Sequence, residues 1–152
     1  KAHSSIVKWP HCSCFGLRGG SVDYAERLKD NLQCAEALVT PLRESAGSFE
    51  TFMELLTQYV KLRYMIDDTD FWSDDLRELS AFSMKHQQDT VGENTSALQD
   101  TSLNCAGATS AETKQILLLM KLRKDLGVQL APDYIGTARS LTEVAQRLFE
   151  QL

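Results

Sequence analysis

From Ser21 onward, apolar residues recur at intervals of three and four: Val22, Ala25, Leu28, Leu32, Ala35 and Val39. Each residue of an α-helix turns the chain by about 100°, so these positions fall on one face. The spacing predicts a first helix, broken or bent by Pro41 and the Ser45-Ala46-Gly47-Ser48 stretch, because proline lacks the N–H a helix interior uses. Ser48 is the expected N-cap of a second helix, with Glu50 in its first turn. Phe49, Phe52, Met53, Leu56, Tyr59, Val60, Arg63 and Tyr64 follow. That apolar surface is wide enough to predict burial on more than one side. The short connection predicts that the two helices pack antiparallel.

Asp67-Asp68-Thr69-Asp70 ends the second helix, and Ser73-Asp74-Asp75 opens a third that runs to about Gln88, with Ser73 as its cap and Leu76, Leu79 and Phe82 inward. Residues 89–108 are small and polar and predict a long loop. Two capping boxes follow, Thr109-x-x-Glu112 and Ser140-x-x-Glu143. The helices they open extend to Leu126 and to the C-terminal end, and between them Gly127, Pro132 and Gly136 leave room for one short turn of helix. No stretch alternates as a strand does. The fold class is all-α, with a flexible arm at 1–20, a helical pair at 21–66 and a four-helix bundle at 73–152. Leu79, Phe82, Ile116, Leu119, Leu122, Val128, Val144 and Leu148 are expected to share one core.

Composition narrows the function classes. The 152-residue chain carries a net charge of −5, which argues against nucleic-acid binding, since neutralising phosphates needs a basic surface. No apolar run reaches the 18 residues that suggest a membrane span. The chain opens on Lys1 without a basic-then-apolar leader, which predicts a partial or processed chain. Four cysteines, Cys12, Cys14, Cys34 and Cys105, are too sparse for a disulfide scaffold. His11-Cys12-x-Cys14 offers soft ligands but lacks zinc-knuckle spacing. A bond to Cys34 or Cys105 is the alternative to free thiols, and free thiols in an intracellular, reducing compartment are the expectation. Asn94-Thr95-Ser96 matches a glycosylation sequon only formally. The acids Asp67, Asp68, Asp70, Asp74 and Asp75 lack the glycine of a calcium loop and are expected to cap helices or face water. No metal site is expected.

One segment carries a further pattern. From Asp100 the chain reads Asp100-x-x-Leu103-x-x-x-Gly107-x-x-Ser110, then a helix with Ile116, Leu118, Leu119 and Leu122. Leu126-Gly127-Val128-x-Leu130, Tyr134-Ile135 and Ser140-Leu141-x-Glu143-Val144-Ala145 follow. From about Ser73 to Leu152 this order resembles the acyl and peptidyl carrier domains of fatty-acid, polyketide and peptide synthases. In that family a Gly-x-Asp-Ser motif opens the second helix, and its serine carries phosphopantetheine. The resemblance implies attachment at Ser110, framed by Gly107 and Thr109. Here Thr109 stands in place of the aspartate, and counting back from Gly127 puts Glu112 at the serine position. It further implies a non-catalytic domain that presents an acyl or aminoacyl group to synthase partners.

Read from the residues alone, Thr109 caps the helix and Ser110 is its first residue, where a phosphodiester would meet the positive helix end. Lys114, Lys121 and Lys124 form an expected basic face for an acidic partner. The alternative is an unmodified all-α subunit that docks to other proteins of a larger complex.

Overall fold

The computed structural model describes residues 24–91 and 110–152. Seven helices run through them: α1 (Tyr24–Ala37), α2 (Val39–Glu44), α3 (Phe49–Arg63), α4 (Leu76–Val91), α5 (Ala111–Leu126), α6 (Pro132–Thr137) and α7 (Leu141–Phe149). Among the described residues there is no strand, only an isolated antiparallel bridge between Asp75 and Ser140. The protein is all-α. The arm at 1–20 and most of the expected loop, 92–108, lie outside the described residues, while residues 89–91 extend α4.

The first break comes earlier than Pro41. α1 ends at Ala37 and α2 starts at Val39. Leu38 between them keeps right-handed helical dihedrals but makes a turn, its N donating to Ala35 O at 3.1 Å, and Pro41 falls in the first turn of α2. There the missing N–H is one of those that a helix start leaves without a partner inside the helix. The inward stripe of α1 is also rotated from the expected one. Leu28, Asn31, Cys34 and Ala35 are buried while Ala25 is exposed. Asn31 takes a core position because its amide nitrogen donates to Asp67 Oδ1 at 2.8 Å and to Met65 Sδ at 3.2 Å. At the start of α1, Arg27 pairs with Asp67, just past the end of α3, at 3.0 Å. The two helices therefore run antiparallel.

α3 is the central helix. Ser48 caps it, its Oγ accepting from Thr51 N at 3.3 Å. Phe52, Leu55, Leu56, Tyr59, Val60 and Leu62 are all buried, against α1 on one side and α7 on another. Phe149 of α7 meets the rings of Phe49 and Phe52 at 5.4 and 5.6 Å between centroids. Burying a side chain such as Phe52 contributes about 2–3 kcal/mol. The chain leaves α3 through a left-handed residue, Met65, at φ 56. Ile66 N donates back to Lys61 O at 3.0 Å and Met65 N to Leu62 O at 3.2 Å, the paired bonds of a Schellman motif.

α4 is capped by Asp75 rather than by Ser73. Asp75 Oδ1 accepts from Arg77 N at 2.8 Å and Glu78 N at 3.0 Å. Ser73 Oγ instead accepts from Asp75 N and donates to Glu78 Oε2, holding the capping residue in place. The starts of α4 and α7 lie side by side, with Leu76 N donating to Arg139 O at 2.8 Å and Leu141 N to Asp74 O at 2.9 Å. Ser140 caps α7 through Glu143 N at 3.2 Å, as the capping box predicts. One buried core runs from Cys34, Leu42 and Phe52 through Leu79 and Leu119 to Val144 and Leu148. Of the expected core residues, Leu79, Leu119, Leu122, Val128, Val144 and Leu148 are buried, and Phe82 and Ile116 pack against them half-buried.

Candidate functional site

Ser110 stands at the head of α5, with extended backbone (φ −145, ψ 157). It is the N-cap and not the first helical residue. Its Oγ accepts from Thr113 N at 3.1 Å and donates to Thr113 Oγ1 at 2.9 Å. The expected Thr109–Glu112 box gives way to a reciprocal Ser110–Thr113 pair, because helical dihedrals begin one residue later, at Ala111. The Ser110 side chain is exposed, as is Glu112 in the first turn. Gly107 and Thr109 lie outside the described residues. So do Asn94, His11-Cys12-x-Cys14 and Cys105.

The three lysines do not form one exposed basic surface. Lys114 is fully buried. Its Nζ donates to Gln87 Oε1 of α4 at 3.0 Å and lies 5.1 Å from the Tyr64 ring. The lysine stem lies on the same stripe as Leu118 and Leu122, and α4 closes over it, so it cannot serve an exposed docking surface. Lys121 is partly covered and bonded to Glu36 at 3.0 Å and Asp125 at 2.9 Å. Burial alone would lower its pKa, but those two hydrogen bonds outweigh burial and raise it. Lys124 is exposed and belongs to no ion pair among the described residues.

What holds α5 in place is a set of residues that the sequence reading missed. The Asp125 side chain is 8% exposed and accepts from the Tyr59 hydroxyl at 2.7 Å, with Arg63 at 3.8 Å. Arg43 of α2 donates to the Asp125 backbone carbonyl. Arg63, itself buried, reaches Glu36 at 3.0 Å and donates from Nε to the Tyr59 hydroxyl at 2.8 Å. Burial drives the Tyr59 hydroxyl far above its usual pKa; the Arg63 charge opposes the shift and Asp125 reinforces it. An acid in the last turn of a helix opposes the helix dipole. That was the signal in the sequence that cations from other elements hold Asp125.

At this end of α5 a shallow groove of about 730 Å³ opens on the surface. Its lining mixes the apolar Leu117, Met120 and Val128 with the cations Lys121, Arg123 and Lys124. Met120 is 44% exposed. Gly127, at φ 65, ends the helix, with Val128 N donating to Arg123 O at 3.2 Å and Gly127 N to Lys124 O at 3.3 Å. A residue with a side chain is strained at that φ, so the glycine sets where the helix ends and Val128 turns back into the groove lining.

Cys34 is 4% exposed and disulfide-bonded, where free thiols were expected; its partner lies outside the described residues. Among the described residues no group of three His, Cys, Asp or Glu side chains is placed to hold a metal ion, and no helix is long and apolar enough to cross a membrane. No family model, characterised protein or solved structure matches the chain.

Proposed function

We propose that this chain is a non-catalytic, carrier-like domain that presents a phosphopantetheine-tethered acyl or aminoacyl group from Ser110 to synthase partners. The observation that supports this reading is the position of Ser110, exposed at the positive end of a sixteen-residue helix, its hydroxyl bonded among the described residues to Thr113 alone. Esterification removes the hydroxyl proton, and with it the bond to Thr113 Oγ1. The ester oxygen keeps a lone pair for Thr113 N, so the cap survives modification. The added phosphodiester would lie near the unpaired N–H groups of the first turn. In the transfer, Ser110 Oγ bonds to the phosphorus of coenzyme A that bears the pantetheine, and the adenosine bisphosphate half leaves. Incubation with coenzyme A and a promiscuous phosphopantetheinyl transferase is expected to add one arm to the intact mass, and Ser110→Ala to abolish it. An unchanged mass alongside a fully modified control carrier overturns this reading.

A second reading is favoured by the capping geometry, in which the Ser110 hydroxyl already has both a donor and an acceptor partner in Thr113. On it the chain is an unmodified all-α subunit of a larger complex, and Lys121 and Lys124 face an acidic partner surface. Lys114, being buried, takes no part. Unchanged mass in the transferase assay is the outcome this reading expects.

A further inference from the structure

Two large apolar side chains are exposed among the described residues, Trp72 at 36% and Met120 at 44%. Their surroundings carry opposite charge. Between residues 67 and 78 six acids outnumber the one cation, Arg77. In space Arg27 pairs with Asp67 and Asp68 and Lys61 lies against the Trp72 ring, which leaves the patch acidic on balance. Around Met120, Arg123 and Lys124 line the groove, and no ion pair among the described residues uses either. Asp70 is likewise exposed and outside those ion pairs.

The two patches also face apart. Tyr59 and Arg63, one helical turn from each other on α3, reach Asp125 beside the groove. Lys61 lies between them in sequence, about 200° around the helix from Tyr59, and its Nζ sits 5.6 Å from the Trp72 ring centre. Trp72 therefore lies on the side of α3 away from α5. One copy cannot close its own acidic aromatic knob onto its own basic groove, but two copies can. We infer that this chain assembles head-to-tail, Trp72 and Asp70 of one copy seating on Met120, Arg123 and Lys124 of the next.

The occupant is fixed by complementarity. An exposed aromatic side chain, with the exposed Asp70 (unpaired among the described residues) two residues before it, complements a groove that mixes apolar side chains with cations. With a net charge of −5, two copies repel each other overall, so contact needs this one attractive pairing. The contact is heterologous: the two surfaces that meet are different patches of the same chain. The inference is independent of any modification at Ser110, which lies about 15–21 Å along α5 from Met120, Arg123 and Lys124.

Sedimentation velocity on the full chain, from micromolar to roughly millimolar concentration, tests it. The mean mass is expected to rise with concentration at low salt and to fall back as sodium chloride is added. Trp72→Asp and Met120→Asp are each expected to be monomeric, with unchanged circular dichroism because both side chains are at the surface. Mixed in equal amounts, they should form a dimer and stop there, since one variant keeps the groove and the other keeps the knob. A monomer throughout the wild-type series overturns the inference. So does association that either variant leaves intact, that the mixture fails to restore, or that salt strengthens.

Discussion

The Tyr59 hydroxyl donates a 2.7 Å hydrogen bond to Asp125 across 66 residues of sequence, fastening α3 to the C-terminal turn of α5. Because burial raises the Tyr59 pKa in the folded chain, the unfolded chain releases this proton first. The stability it contributes is complete below a pH of about 10, the ordinary tyrosine value, and is lost as pH rises beyond that. Denaturant midpoints measured from pH 8 to 12 are expected to fall on the alkaline limb. Tyr59→Phe should cost about 1–2 kcal/mol at neutral pH and flatten that limb. Tyr24 and Tyr134, also raised chiefly by burial, leave a smaller residual slope.

On the acid side the sensitive group is Asp74. Partial burial pushes its carboxyl up, but hydrogen bonds from the Ser140 hydroxyl and from the Thr142 hydroxyl and N–H outweigh it and hold the pKa below the ordinary range. A depressed carboxyl contributes stability that is present above its unfolded pKa of about 4 and lost as pH falls below it. Asp74→Ala is expected to lower stability by about 1–2 kcal/mol at neutral pH. The gap to wild type should narrow in denaturant melts taken below pH 4.

Met65 sets two effects against each other. A side chain at its positive φ costs about 1–2 kcal/mol, which argues for glycine. The same side chain is 1% exposed, packs with Leu28 and accepts from Asn31, and truncating such a methionine costs about 2–5 kcal/mol. Packing wins. Met65→Gly is expected to destabilise the fold by about 1–3 kcal/mol, read from a urea melt; a gain in stability would show that backbone strain dominates.

The Cys34 disulfide predicts that this thiol resists alkylation in the native, unreduced chain and becomes reactive after reduction and unfolding. Cys34→Ser should lower stability by roughly 2–4 kcal/mol, the usual range for losing a crosslink. Peptide mapping without reductant checks the first point and a thermal melt the second. Full alkylation of Cys34 in unfolded, unreduced protein would refute it.

Local signals were legible where one residue type does one job. Ser48 and Ser140 cap as their spacing predicts, and Gly127 ends α5 because it alone among its neighbours tolerates the left-handed turn. Where two adjacent residues compete for one job, sequence did not choose. Asp75 displaced Ser73, and Ser110 displaced Thr109, because the backbone that presents each cap depends on what the chain packs against. Lys114 marks a different limit. Periodicity gives its angle around α5, close to that of Lys121, but not its depth beneath Gln87 and Tyr64. Arg63 and Asp125 were likewise hidden, since partners from separate helices meet only in the folded chain.

The paired starts of α4 and α7 have a consequence for solvent access to the backbone. Amides in the first turn of a helix have no carbonyl inside the helix to bond, and they exchange hydrogen with water quickly. Leu76 N and Leu141 N are first-turn amides, yet each donates to a carbonyl from the other strand of the junction, Arg139 O and Asp74 O. Fraying either helix alone does not free them; the two segments must separate. Their deuterium uptake, with that of Thr142 N, which donates to Asp74 Oδ1 across the same junction, should therefore track the slowest, whole-molecule openings. Arg77 N, Glu78 N and Glu143 N, held by cap side chains of their own helix start, should exchange as that helix frays.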